Sequence, residues 1–295
     1  MNSVGVDRSG PAFREGVVVD ELVVPIAGKH RYDRAAAVAT RLAERWNTTI
    51  RLIHVLTGDG DEIDADRLAK VRRELSAQYP ATTFASSLLE GDDPVAAIVD
   101  ALDDACLVVV ATDHASQWGD EDSVGERIAL AAKTPVLLCG PKVDSEHVFG
   151  PVVVGLDGSP TAEAGLEPAV SLARSLDTRL WLVRAVDSLT VEHIRRLKAS
   201  GSSASESGYL LDVAERLGDR GIDVGWEIVH DDDAVSAILG FAANQEAGPI
   251  VAGTHGDEGL SRRMFGSTAM GLVESSRYPV LVVNAGGRDE PQLEP

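Results

Sequence analysis

The residues of this chain best suited to hold an anion lie late in the sequence, in Ala252-Gly-Thr-His-Gly-Asp-Glu-Gly-Leu-Ser-Arg-Arg-Met-Phe-Gly-Ser-Thr268. Gly253 and Gly256 leave the backbone free to approach a ligand closely and to take positive φ. After nine intervening residues, the run Gly266-Ser267-Thr268 opens an apolar helical pattern. Unpaired N–H groups and the helix dipole attract an anion at such a start. Ser267 has two readings, as a cap of that helix or as a donor to a phosphate oxygen.

Other chemistry-bearing residues are weaker. Asp157, in Val-Gly-Leu-Asp157-Gly-Ser159, reads on its own equally well as a cap for a helix ahead of Pro160. His255 has no Ser, Cys or carboxylate partner that would make it catalytic, and reads as a solvated loop histidine. Arg262 and Arg263 could approach a phosphate, or form a surface pair. Asp231, Asp232 and Asp233 resemble a metal cluster, but their place before an apolar run makes them a helix start, where acidic residues suit the dipole. No Gly-x-x-x-x-Gly-Lys-[Ser/Thr] loop and no Gly-x-Gly-x-x-Gly turn occurs, so the P-loop and dinucleotide readings lack their residues. No catalytic residue emerges, and metal ligands are left undetermined.

The elements that must position these residues are written twice. Glu21–Gly28 is echoed by Pro151–Gly158, each a short β-branched run ended by glycine, as a buried parallel strand would be. Amphipathic helices follow, with Ala35, Val38, Ala39, Leu42, Ala43 and Trp46 in the first copy and Ala162, Leu166, Ala169, Val170 and Ala173 in the second. Second strands fall at Thr49–Leu56 and Arg179–Val186, and third strands at Thr83–Leu89 and Asp223–Val229. Acidic turns at Gly91–Pro94 and Asp231–Asp233 lead into helices at Val95–Leu102 and Ala234–Ala243. Fourth strands lie at Leu107–Ala111 and Ile250–Ala252, and both copies close with a helix and then Pro135–Cys139 or Pro279–Val283. The alternation predicts two tandem α/β units, each an open parallel five-stranded sheet with helices on both faces. The expected boundaries are a loose extension over 1–18, a first domain over 19–143, a second over 148–285 and a tail over 286–295. The polar stretch Gly140–Gly150 joins the domains, and Ala199–Ser207 is expected to be flexible.

Composition narrows the partners. The chain has 295 residues, 47 acidic against 27 basic, for a net charge of -20, and five of the basic residues are lysines. Nucleic acid and anionic lipid are disfavoured, because phosphate backbones must be met by clustered cations. Self-repulsion of this size is relieved at molar salt, where the Debye length is about 3 Å. The acidic, lysine-poor composition therefore suggests a cytoplasm of very high salt, as in halophilic archaea. No apolar run is long enough to span a membrane, and the first residues do not read as a secretion signal. The two cysteines, Cys106 and Cys139, lie beside apolar strands and read as buried thiols.

The glycine spacing, the Gly-Ser pair, the Val-Gly-Leu-Asp157-Gly-Ser159 strand end and the closing Pro-Val-Leu-Val-Val together resemble the universal stress protein family, over both repeats and most of residues 20–284. That resemblance implies strand order 3-2-1-4-5 in each domain and a bound adenine nucleotide, ATP or AMP. It implies Asp157 beside the adenine and ribose, Ala185 offering backbone hydrogen bonds to the adenine, and Ala252 and Gly253 lining the ribose. Gly256, Gly266, Ser267 and Thr268 would hold the phosphates, with Asp157 or Ser267 available to Mg²⁺. In the first copy Ala27 stands for Asp157, Thr112–Ala115 for Gly253–Gly256, and Asp122-Ser-Val124 for Gly266-Ser-Thr268, across a loop about three residues shorter. Asp113 and Asp122 would repel a triphosphate, so the first copy is expected not to bind ATP. Relatives of this family dimerise through the last strand, which implies that 135–139 and 279–283 pair within the chain; further pairing of two chains is left open. The expected function is a nucleotide-binding stress regulator. The alternatives are a slow ATPase, for which no general base is seen, and a nucleotide-independent scaffold.

Overall fold

The computed structural model describes residues 19–26, 32–57, 65–102, 106–112, 124–186, 206–254 and 266–284. In the first half, strands β1 (Glu21–Pro25), β2 (Thr49–Leu56), β3 (Thr83–Glu90), β4 (Cys106–Ala111) and β5 (Val136–Cys139) alternate with helices α1 (Asp33–Trp46), α2 (Ala65–Gln78), α3 (Pro94–Asp100) and α4 (Val124–Ala131). The second half has β6 (Val152–Gly155), β7 (Leu180–Val186), β8 (Val224–His230), β9 (Ile250–Thr254) and β10 (Val280–Asn284). Its helices are α5 (Pro160–Glu163), α6 (Leu166–Leu176), α7 (Glu206–Gly218), α8 (Ala234–Asn244) and α9 (Ser267–Ser275).

Local chemistry explains the elements. Helix α1 buries Ala35, Ala36, Val38, Ala39, Leu42 and Ala43 on one side and ends at Asn47, whose φ of 52° lies in the left-handed region. Helix α6 ends the same way at Asp177, φ 55°. Asn and Asp tolerate this conformation better than other non-glycine residues, so the two repeats share one stop signal. Helices α3 and α8 each start on an aspartate cap. Asp93 accepts from the Val95 N–H, and Asp233 from the Val235 and Ser236 N–H groups. Asp233 is therefore used as a helix start.

Each half has strand order 3-2-1-4-5, but the halves do not form separate sheets. Strand β10 pairs antiparallel with β5, Val280 opposite Leu138, Leu281 opposite Leu137 and Val282 opposite Val136. The result is one ten-stranded sheet, β3-β2-β1-β4-β5-β10-β9-β6-β7-β8. The last strands of the two halves thus pair as the resemblance implied. The core runs through this seam on both faces, with Leu137, Cys139, Leu281 and Val283 on one and Val136, Leu138, Val280 and Val282 on the other. Side chains bond across it too: Trp46 Nε1 donates to the Ser175 carbonyl at 3.1 Å, and Asn284 Nδ2 to the Leu130 carbonyl at 2.8 Å.

Three details differ from the sequence expectation. Helices α2 and α7 lie between the second and third strands, where none was expected. Helix α7 starts at Glu206, inside the segment expected to be flexible. The linker is docked, since the Asp144 N–H donates to the Arg277 carbonyl at 2.9 Å and Val148 is fully buried. Both cysteines are buried and neither is in a disulfide, and burial pushes the Cys139 thiol up to about 12.

Candidate functional site

In an open α/β sheet a ligand binds outside the carboxyl ends of the strands, where strand order reverses. In the second half that point lies between β6 and β9, with β7 on the far side of β6. Asp157 follows the end of β6, Ala185 is the penultimate residue of β7, and Ala252 and Gly253 lie toward the carboxyl end of β9, which Thr254 closes. The fold therefore brings these four residues to one edge of the sheet. The chain leaves β9 at its carboxyl end and enters β10 at the opposite end, so α9 begins on that same edge. Gly266 precedes its first turn, Ser267 is exposed and Thr268 half-buried. Gly256, His255, Arg262 and Arg263 lie outside the described residues.

The β6 loop has a defined geometry. The Asp157 carboxylate accepts from the Ser159 N–H at 2.8 Å, and Gly158 between them takes φ +85°. The helix cap ahead of Pro160 is Ser159, whose Oγ accepts from the Ala162 N–H at 3.2 Å; Asp157 is not spent on that cap. Partial burial works to raise the Asp157 carboxyl, but the hydrogen bonds from Ser159 and the charge of Arg184 outweigh it and hold it below the usual carboxylate range. Asp157 is thus an exposed, ionised acceptor at the strand ends.

Gly253 has a structural reason of its own. A Cβ there would overlap the Thr161 carbonyl group in α5, so its close approach is to the chain itself. Gly266 has φ -62° and ψ 147°, which any residue adopts. Among the described residues no side chain caps α9, whereas α3, α5 and α8 are capped by Asp93, Ser159 and Asp233.

Strand register corrects the repeat alignment by one residue. Ala111 pairs with Cys139 in β5, and Gly253 with Val283 in β10. The two closing strands match residue for residue from Pro135 and Pro279, so Gly253 corresponds to Ala111 and Thr254 to Thr112. At this edge the first half carries a polar network. Arg34 Nη2 donates to the Thr112 carbonyl at 3.3 Å, and Thr112 Oγ1 to Glu126 Oε1 at 3.2 Å. Thr112 and Glu126 are each 1% exposed. The same offsets place Ala164, Thr254 and Met270 at these positions in the second half, which keeps only the threonine. Asp113, Asp122 and Ala27 lie outside the described residues.

Residues 149–284 match the universal stress protein family. A universal stress protein of Mycobacterium tuberculosis is 25% identical over 306 aligned positions, spanning 93% of this chain and 98% of that protein. A universal stress protein of Methanocaldococcus jannaschii is 28% identical over 148 positions, 48% of this chain and 85% of its own length. The crystal structure of a universal stress protein from Archaeoglobus fulgidus covers 91% of this chain and 99% of its own, with a TM-score of 0.70 at 19% identity. That likeness shows the α/β fold of universal stress proteins across both halves.

Sequence reasoning missed three residues at this edge: Glu163, Arg184 and Tyr209. The Arg184 guanidinium lies 5.8 Å from the centre of the Tyr209 ring. The Tyr209 hydroxyl is buried and faces the Glu163 carboxylate without reaching hydrogen-bond geometry. Burial first, then the Glu163 and Asp157 carboxylates, push this phenol well above its usual range, which keeps it protonated. The available signal was Arg184 itself, a charged residue within an otherwise apolar strand.

Proposed function

We propose that the chain is a two-repeat universal stress protein that binds one adenine nucleotide, ATP or AMP, in its second half. The first half is its built-in dimer partner, and occupancy of the site regulates conformation or association during stress. The observation that carries this reading is the convergence of Asp157, Ala185, Ala252 and Gly253 on one sheet edge, within the residues that match the family. Asp157 meets ribose or adenine donors as an ionised acceptor, and the start of α9, which no side chain among the described residues caps, offers its N–H groups and the Ser267 and Thr268 hydroxyls to the phosphates. One observation supports a silent first half: its switch point carries the polar network of Arg34, Thr112 and Glu126, which the second half lacks.

The acidic surface fits a cytoplasm of molar salt, and the assay belongs there. Isothermal titration of the purified chain with ATP and Mg²⁺ at molar salt should give one site per chain, with no ADP formed on long incubation. Two sites would overturn the silent first half, turnover would favour an enzyme, and absence of binding would leave a scaffold.

A further inference from the structure

We propose that Arg184 is a positioning residue of this nucleotide site, acting through Asp157, and that Tyr209 holds it in place. The proposal rests on the reading that Asp157 meets the nucleoside. Arg184 lies on β7 one residue before Ala185, and its guanidinium is placed between two features. On one side is the Tyr209 ring of α7. On the other is Gly158, where an added Cβ would come within 3.4 Å of Arg184 Nη1. Gly158 also takes φ +85°, which turns the Asp157 carboxylate back onto the Ser159 N–H. The same few residues thus set both the loop and the guanidinium that faces it.

Charge gives the arrangement its purpose. Beyond the effect of burial, the Tyr209 phenol is raised by both Glu163 of α5 and Asp157 of the β6 loop and lowered by Arg184, so the four groups share one corner. Against its partial burial, the hydrogen bonds from Ser159 hold the Asp157 carboxyl down, and the Arg184 guanidinium adds its charge in the same direction. The first half supplies an internal comparison. At the position of Arg184 it has His54, whose Nδ1 lies 2.6 Å from the Ile26 carbonyl, and its sequence has Ala27 in place of Asp157. Within this chain the arginine accompanies the aspartate, and where the aspartate is missing the same strand position serves the backbone.

The test is a double-mutant cycle read by isothermal titration at molar salt, with ATP and with adenosine as separate ligands. Arg184→Met should weaken both by the same factor, about tenfold, because the defect lies at the nucleoside end. On an Asp157→Ala background, adding Arg184→Met should weaken binding no further. Tyr209→Leu should reproduce the loss and Tyr209→Phe should not, since the ring and not the hydroxyl supports the guanidinium; this pair also serves should Arg184→Met fail to fold. A full further tenfold loss on the Asp157→Ala background, or loss of ATP with adenosine binding intact, would overturn the proposal. Wild-type protein that binds neither ligand would overturn the reading of the site itself, and the proposal with it.

Discussion

Gly253 in β9 and Thr161 in α5 approach so closely that a Cβ on the glycine would overlap the threonine carbonyl oxygen. The family resemblance assigned this glycine to the ribose, yet packing requires it whether or not a nucleotide is bound. Gly253→Ala should therefore destabilise the empty protein by about 1–3 kcal/mol, the usual cost of forcing an extra methyl group into a packed site. Denaturant unfolding without nucleotide checks this, and an unchanged midpoint would show that α5 yields freely.

Gly266 can be tested in the opposite sense. Its backbone is open to any residue, and the first repeat has Asp122 at the matching place. Gly266→Asp should cap α9 and raise stability by a few tenths of a kcal/mol. It should also put a carboxylate at the mouth of the anion site and weaken ATP at least about tenfold. Thermal unfolding and titration on one sample separate the effects; equal ATP affinity would place the phosphates elsewhere.

Much of the fold was legible because its strands are short, apolar and punctuated by glycine and proline, and because the chain repeats them. The seam was legible for the same reason: β5 and β10 carry nearly the same buried residues. Helices α2 and α7 were not, since polar residues dilute their apolar faces and α7 begins in a serine-rich run. At the site, Asp157 and Gly253 were singled out by the family resemblance, since Asp157 on its own read equally well as a helix cap. The Arg184–Tyr209 contact joins β7 to α7 across residues 187–205, and no local pattern announces such a pair. The one-residue offset at Thr112 was not legible, because hydrogen-bonded strand register, not residue type, decides it.

Acid should act on the two helix caps. The Asp93 carboxyl is held down first by the Val95 N–H and also by Arg127, and the Asp233 carboxyl by Ser236. Both are depressed in the folded state, so their stabilisation is present above the ordinary carboxylate value and is lost as pH falls through the lower folded value. Asp93→Asn and Asp233→Asn keep a capping oxygen but remove the charge. Each should lower stability at pH 7, and the gap to wild type should close as pH falls below about 4. Chemical denaturation at several pH values measures it; a gap that persists in acid would mean the charge is not the cause.

The net charge of -20 should make stability depend on salt. Between about 0.1 M and 1 M the Debye length falls from about 10 Å to about 3 Å, which removes most long-range repulsion. The thermal midpoint should rise by about 5 °C or more over that range, and a flat response would detach the composition from salt.

The seam makes the last prediction. Leu137 and Leu281 face each other in the antiparallel pairing of β5 and β10, each 1% exposed or less. Leu137→Ala and Leu281→Ala should each cost about 3 kcal/mol, the usual range for a leucine cut back in a core. Because the residues share a contact, the double variant should cost less than the sum, by about 0.5 kcal/mol or more. Since the core is continuous through the seam on both faces, each single variant should still unfold in one transition. Additive losses, or two separate transitions in wild-type protein, would show that the halves are stable alone and that the seam merely joins them.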